Sequence, residues 1–188
     1  MEVLDTLFLA RPIPKGYTYT ISSRLGNFLT LTERQFGGRD QTYTILGIEF
    51  QEDGPRIWYP CNCRHVVVQL NSQCANDYFE ALFELAHECV HLLSPTGKSD
   101  ANVLEEGLAT LFSLRYRTQD LGQTQFKITD PRYISASRAA EQLLDIDPNA
   151  VVKLRKNEPT ISRITADQII KQYPGVSESL AGQLTSRF

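Results

Sequence analysis

The sequence has little of what marks a secreted, membrane-spanning or nucleic-acid-binding chain. Four cysteines in 188 residues are too few to staple a small disulfide scaffold, and a chain of this length can bury a core without staples. Read as reduced thiols, they point to a cytoplasmic protein. There is no basic excess either: 19 Lys and Arg stand against 22 Asp and Glu, a net charge of -3. A surface that neutralises many phosphates is not implied, so nucleic acid is not an expected partner. The apolar runs Leu7 to Ala10 and Val66 to Val68 fall far short of the about 20 residues a bilayer span requires, which removes a membrane from the expected partners. The opening MEVLDTLFLARPIPKG has acids where a secretory signal carries Lys or Arg, and Pro12 and Pro14 cut its apolar run. No signal is read there. Histidine is scarce as well, three in the whole chain, so the placement of two of them carries information.

What is present has the balance of one globular domain, 41% hydrophobic and 22% charged, with a β-rich part over 1–74 and an α-rich part over 75–188. Period-two alternation of β-branched and aromatic residues at Tyr17 to Ile21 and Phe28 to Thr32 predicts antiparallel strands. Asp53-Gly54-Pro55 is turn chemistry and predicts a hairpin of Thr42 to Gln51 with Arg56 to Tyr59, followed by one more strand over Arg64 to Leu70. From Asn76 the period becomes helical. Phe79, Leu82, Phe83, Ala86, Val90 and Leu93 draw one apolar stripe, closed by Pro95 and Gly97. A second helix is expected from about Ala101 to Arg117, then helices over Pro131 to Leu144, Pro148 to Arg155, Thr165 to Gln172 and Ser177 to Ser186. Lys153 to Lys156 reads as a solvated helix face and Trp58 as core or hairpin packing.

Inside the first of these helices stands His87-Glu88-Cys89-Val90-His91, the pattern H-E-x-x-H. Imidazoles four residues apart on a helix share a face, so both nitrogens can reach one metal ion at about 2.0–2.1 Å. Glu88 projects beside the ion rather than into its coordination shell, where it can take a proton from a water that the metal activates. Catalytic zinc usually has three protein ligands and a water. The candidate region for the third is Leu104-Glu105-Glu106-Gly107-Leu108-Ala109.

These two segments together resemble the gluzincin branch of the zinc metallopeptidases, in which an H-E-x-x-H helix is followed by a glutamate helix often written N-E-G-[FL]-A. The chain reads E-E-G-L-A. The resemblance covers about residues 75 to 115 and implies that Glu106 completes a one-ion Zn²⁺ site with His87 and His91, with Glu105 in the place of the motif's Asn. It implies a single zincin-like α+β domain, an N-terminal antiparallel sheet packed on the active-site helix followed by a helical C-terminal lobe. The implied function is zinc-dependent hydrolysis of a peptide or protein substrate with Glu88 as general base. His91 and Glu106 lie closer in sequence than in the aminopeptidase members, and the G-x-M-E-N motif is missing, so an endopeptidase is expected. Gluzincins commonly recruit a downstream Tyr or His for the oxyanion; Tyr133 is the candidate here, with Arg138 and Tyr116 behind it. An edge strand commonly aligns the substrate, a part that Arg64 to Leu70 or Thr42 to Gln51 could play.

Neighbouring families fit less well. Metzincins need a turn glycine and third His where this chain has Ser94 and Gly97, and an Asp100 ligand has no supporting motif. Peptide deformylases share H-E-C-x-H-L but not their two other motifs. Cys61, Cys63 and His65, spaced by two, with Cys74 nearby, form a rival structural zinc site, while Cys89 reads as a small core residue. Two other function classes therefore stand beside the peptidase: a structural zinc protein using that cluster, and a zincin scaffold that binds or regulates without proteolysis.

Overall fold

Short polar side chains decide where the main helices begin. Asp77 Oδ1 accepts from the amides of Phe79 and Glu80 at 3.0 and 3.1 Å and starts α2 (Tyr78–His91). Asn102 Oδ1 accepts from Glu105 N at 2.9 Å and starts α3 (Val103–Arg115). Asp130 accepts from Arg132 N at 2.8 Å, with Pro131 at the first helical position, and starts α4 (Pro131–Ile146). The computed structural model describes residues 7–61, 64–98 and 100–188. The later helices α5 (Ala150–Arg155), α6 (Ala166–Gln172) and α7 (Glu178–Thr185) fall where Pro, Gly and capping residues place them.

The N-terminal region departs from the expected run of strands. A two-stranded ribbon, β1 (Pro12–Ile13) and β2 (Gly16–Tyr17), leads into a 16-residue helix, α1 (Ile21–Phe36). Phe28 to Thr32 is therefore helical, not extended. Its buried residues Ile21, Phe28, Thr32 and Phe36 recur at seven and four, a helical stripe that outweighs the local alternation. Ser23 Oγ accepts from Thr20 N at 2.8 Å at its start, and Thr32 satisfies its buried hydroxyl on Phe28 O at 2.9 Å.

The larger sheet has three strands, β3 (Thr44–Gln51), β4 (Arg56–Trp58) and β5 (His65–Asn71), in the order β3-β5-β4. β4 runs antiparallel to β5, as expected, but β3 runs parallel to it, so the sheet is mixed. The Asp53-Gly54 turn reverses the chain without making a hairpin, because β5 inserts between the two strands it joins. The reason lies in β5 itself. Val66, Val68 and Leu70 are wholly buried and Val67 and Gln69 nearly so, which suits a central strand rather than an edge.

α2 packs on β5 and lies against α1 and α3. Phe28 on α1 meets the rings of Tyr116 at 4.5 Å and Phe112 at 6.2 Å, and Phe36 meets Phe112 at 6.4 Å, an aromatic core that docks α1 on the end of α3. Arg155 is no solvated charge: its guanidinium donates to the carbonyls of Phe36, Gly37, Gly38 and Leu93 at 2.7–3.1 Å, tying the ends of α1 and α2 to α5. Trp58 is 44% exposed and belongs to no core. Residues 186–188 return to the start of α3, where Val103 N donates to Ser186 O at 3.0 Å and Asn102 bridges Arg187. Among the described residues no helix is long and apolar enough to cross a membrane.

α3 and α4 cross at Gly107. A Cβ there would stand 2.3 Å from the carbonyl oxygen of Ala136 and 2.8 Å from the Ala140 methyl. Gly107→Ala is expected to lower stability by about 1–3 kcal/mol through overpacking, read as a fall in the denaturation midpoint.

Candidate metal centre

Four residues of α2 put His87 above His91 on one helix face, their ring centroids 5.1 Å apart. α3 returns across that face with its first turn, and successive helix residues, about 100° apart, aim two carboxylates at the two rings. Glu106 Oε2 lies 3.2 Å from His87 Nε2, and its Oε1 lies 3.7 Å from His91 Nε2. Glu105 reaches the other side of the second ring, with Oε1 at 2.9 Å from His91 Nδ1. Glu88 is buried beside the pair, and the donor atoms of His87, Glu88 and His91 all lie within 4.8 Å of one another. This group can hold a metal ion.

The spacing also tests whether zinc would fit. Atoms about 2.0–2.1 Å from a tetrahedral ion stand about 3.4 Å from each other. Glu106 offers a different oxygen near that distance to each imidazole, Oε2 to His87 and Oε1 to His91, and a small turn of its carboxylate would bring one oxygen to both.

The electrostatics follow from burying five ionisable groups together. Burial lifts the Glu88 carboxyl above the usual carboxylate range, Glu106 and Glu84 push the same way, and the two imidazoles pull back. Burial alone would lower His91, but the carboxylates of Glu106, Glu105 and Glu88 outweigh it and push the imidazole up to about 10. Glu106 also resists its own burial: His91 and His87 hold its carboxyl below the usual range. Without metal, then, a proton on His91 supplies the positive charge that the carboxylates require.

The centre opens into a cavity of about 330 Å³ walled by β4, α2, α3, α4, the loop after α2 and the 186–188 tail. Tyr133, in the first turn of α4, is in this cavity with its ring edge-on to His87 at 5.9 Å. Burial, and Glu106 after it, push its phenol up to about 12, so it is a hydrogen-bond donor at neutral pH. The other two oxyanion candidates are elsewhere. Arg138 lines a separate cavity with Pro131 and Gln142, and Tyr116 is buried in the aromatic core with its hydroxyl accepting from Arg24 Nη1 at 2.8 Å. Asp100 borders the cleft, but its Oδ1 accepts from Thr96 Oγ1 at 2.6 Å.

Two residues of the site escaped the sequence reading. Glu105, which the resemblance set only in the place of the motif's Asn, is 5% exposed and bonded to His91. The Asn102 cap was the available signal, since it fixes which residues make the first turn. Tyr59, just past β4, lines the cleft beside the amides of Gly97 and Thr96, and burial pushes its phenol up to about 12. No periodic pattern marked it.

The cysteine cluster does not form a second site among the described residues. Cys61 is exposed, whereas Cys74 is buried, its thiol raised to about 12 by burial and by Glu84. Cys63 lies outside the described residues. Cys89 is wholly buried as a core residue. No family model, curated protein or solved structure matches the chain.

Two outcomes follow. His91, raised in the folded state above its ordinary 6.5, contributes stability that is complete below that value and is lost as pH rises toward about 10. Glu106, lowered from 4.5, contributes stability present above that value and lost as pH falls. Metal-free protein should therefore have its highest melting temperature between these two ordinary values, in thermal melts with chelator from pH 3 to 10. Glu105→Gln should weaken metal binding about 10–100-fold by chelator competition, because the imidazole loses the carboxylate that orients it.

Proposed function

We propose that the protein is a zinc-dependent peptidase, with Zn²⁺ held by His87, His91 and Glu106. The observation that carries this reading is the convergence of Glu106 on both imidazoles beside a buried Glu88, at the mouth of a cleft. A zinc ion there would supply Lewis acidity, polarising a peptide carbonyl and lowering the pKa of water.

The chain's own residues divide the remaining work. Glu105 accepts from the Nδ1–H of His91, which fixes the tautomer with Nε2 turned to the ion. Glu88, with its carboxyl raised by burial, takes the proton of the attacking water and returns it to the leaving amine, since a group poised nearer neutrality moves protons both ways. Tyr133 donates from its protonated phenol to the oxygen that becomes negative as the carbonyl is attacked. The substrate lies extended against β4. Of the strands considered from sequence, Arg64 to Leu70 is the central β5 and has no free edge, and β3 is on the far edge of the sheet. β4 is the edge whose residues Arg56 and Ile57, with Pro55 before them, border the cleft, and its outer main chain, unpaired among the described residues, can add a strand of substrate.

The roles separate by mutation. Glu88→Gln should keep its metal and lose peptide cleavage by at least about 100-fold, the ordinary worth of a general base. His91→Ala should lose both metal and cleavage. Metal content and cleavage of a broad peptide library, measured side by side, check this, and full turnover by Glu88→Gln would refute the mechanism.

A further inference from the structure

Resting on the peptidase reading, we propose that the cleft selects substrates by a carboxylate, bound between Lys98 and Arg187 where the metal cleft continues into a second cavity. Most charged groups lining the cleft are already engaged. Glu105 and Glu106 face the histidines, Glu88 is buried beside them, and Asp100 holds the Thr96 hydroxyl. Arg56 donates from Nε to Gln69 Oε1 at 2.6 Å and faces Asp53 at 3.8 Å. Lys98 and Arg187 differ: both are exposed, and neither has an ion pair among the described residues.

Both cations also line an adjoining cavity of about 540 Å³, together with Asp100, Asn102, Ser162 and Thr185. Asn102 and Thr185 have other work, since Asn102 Nδ2 donates to Ile161 O and Thr185 Oγ1 to Ala181 O, and the Ser162 hydroxyl oxygen is buried away from the cavity. Two cations without an ion pair among the described residues thus border a space large enough for a side chain. A carboxylate is the group whose charge meets both cations. The cations are not part of a generally basic surface, for the chain carries a net charge of -3. A local positive rim draws an anionic segment to the cleft. Asp100, at the same rim, keeps the site from being uniformly positive.

The carboxylate can come from an Asp or Glu side chain or from a free peptide C-terminus, and four randomised peptide pools separate these. Three are amidated and enriched in Glu, Gln or Lys; the fourth is Gln-enriched with a free C-terminus. Cleavage by the zinc-loaded wild type and binding to zinc-loaded Glu88→Gln are both measured at low and high salt. The expected result is an about tenfold preference for the Glu pool over the amidated Gln pool, weakened by salt. Lys98→Glu and Arg187→Glu should each abolish it and favour the Lys pool. If the free-acid Gln pool shares the preference, the terminal carboxylate is a source as well. Equal cleavage of all pools, or a preference that charge reversal leaves in place, overturns this inference and leaves the peptidase reading standing. No binding or cleavage of any pool overturns both.

Discussion

Two imidazoles from α2 and two carboxylates from the first turn of α3 meet where water is scarce, and each side makes the other's burial tolerable. Isolated charges in such a place would be strongly disfavoured. Here Glu106 spans both Nε2 atoms and Glu105 takes the remaining Nδ1 of His91, so each ionised group has a partner of opposite or donating character. With both imidazoles neutral, the two carboxylates leave the arrangement two positive charges short. A proton on His91 meets half of that demand, and a divalent ion would meet all of it.

The rest of the fold holds those two helices at the right crossing. Gly107 lets α4 approach α3 closely enough to carry Tyr133 to the cleft. Asn102 serves several elements at once: its side chain caps α3 and reaches Ile161, and its main chain bridges Arg187. Arg155 gathers four carbonyls from the ends of α1 and α2. These polar clamps act at helix ends, where backbone donors or acceptors would otherwise be left unsatisfied. The cleft is therefore built on rigid helix ends, while its outer wall is made of short segments: β4, the loop after α2 and the 186–188 tail.

Legibility varied with how local the cause was. The boundaries of α2, α3 and α4 were readable because a cap, a stripe and a breaker all sit within one helix length. α1 was misread because five residues, Phe28 to Thr32, happen to alternate, although the wider spacing of Ile21, Phe28, Thr32 and Phe36 is helical. The hairpin expected at Asp53-Gly54 failed for another reason. A turn sequence reverses the chain but does not choose the neighbour of each strand, and the apolar β5 gained more by lying between β3 and β4 than either edge did by pairing with the other. Arg155 looked solvated because its partners are more than a hundred residues away in sequence, apart from Leu93 and Pro159.

Residue order alone sets which side chains share a helix face: His87 with His91, and Glu105 next to Glu106 at a capped helix start. Helix geometry is periodic and short-ranged, so four residues of separation suffice to place two rings together. Packing across distant elements is what brings Glu105 to His91, Tyr59 and Tyr133 into the same cleft, β4 to the edge beside it, and Lys98 and Arg187 to its rim with no ion pair among the described residues. Each of these depends on how elements distant in sequence cross and cover one another, and the crossing is set by packing and burial over the whole chain rather than by any local pattern.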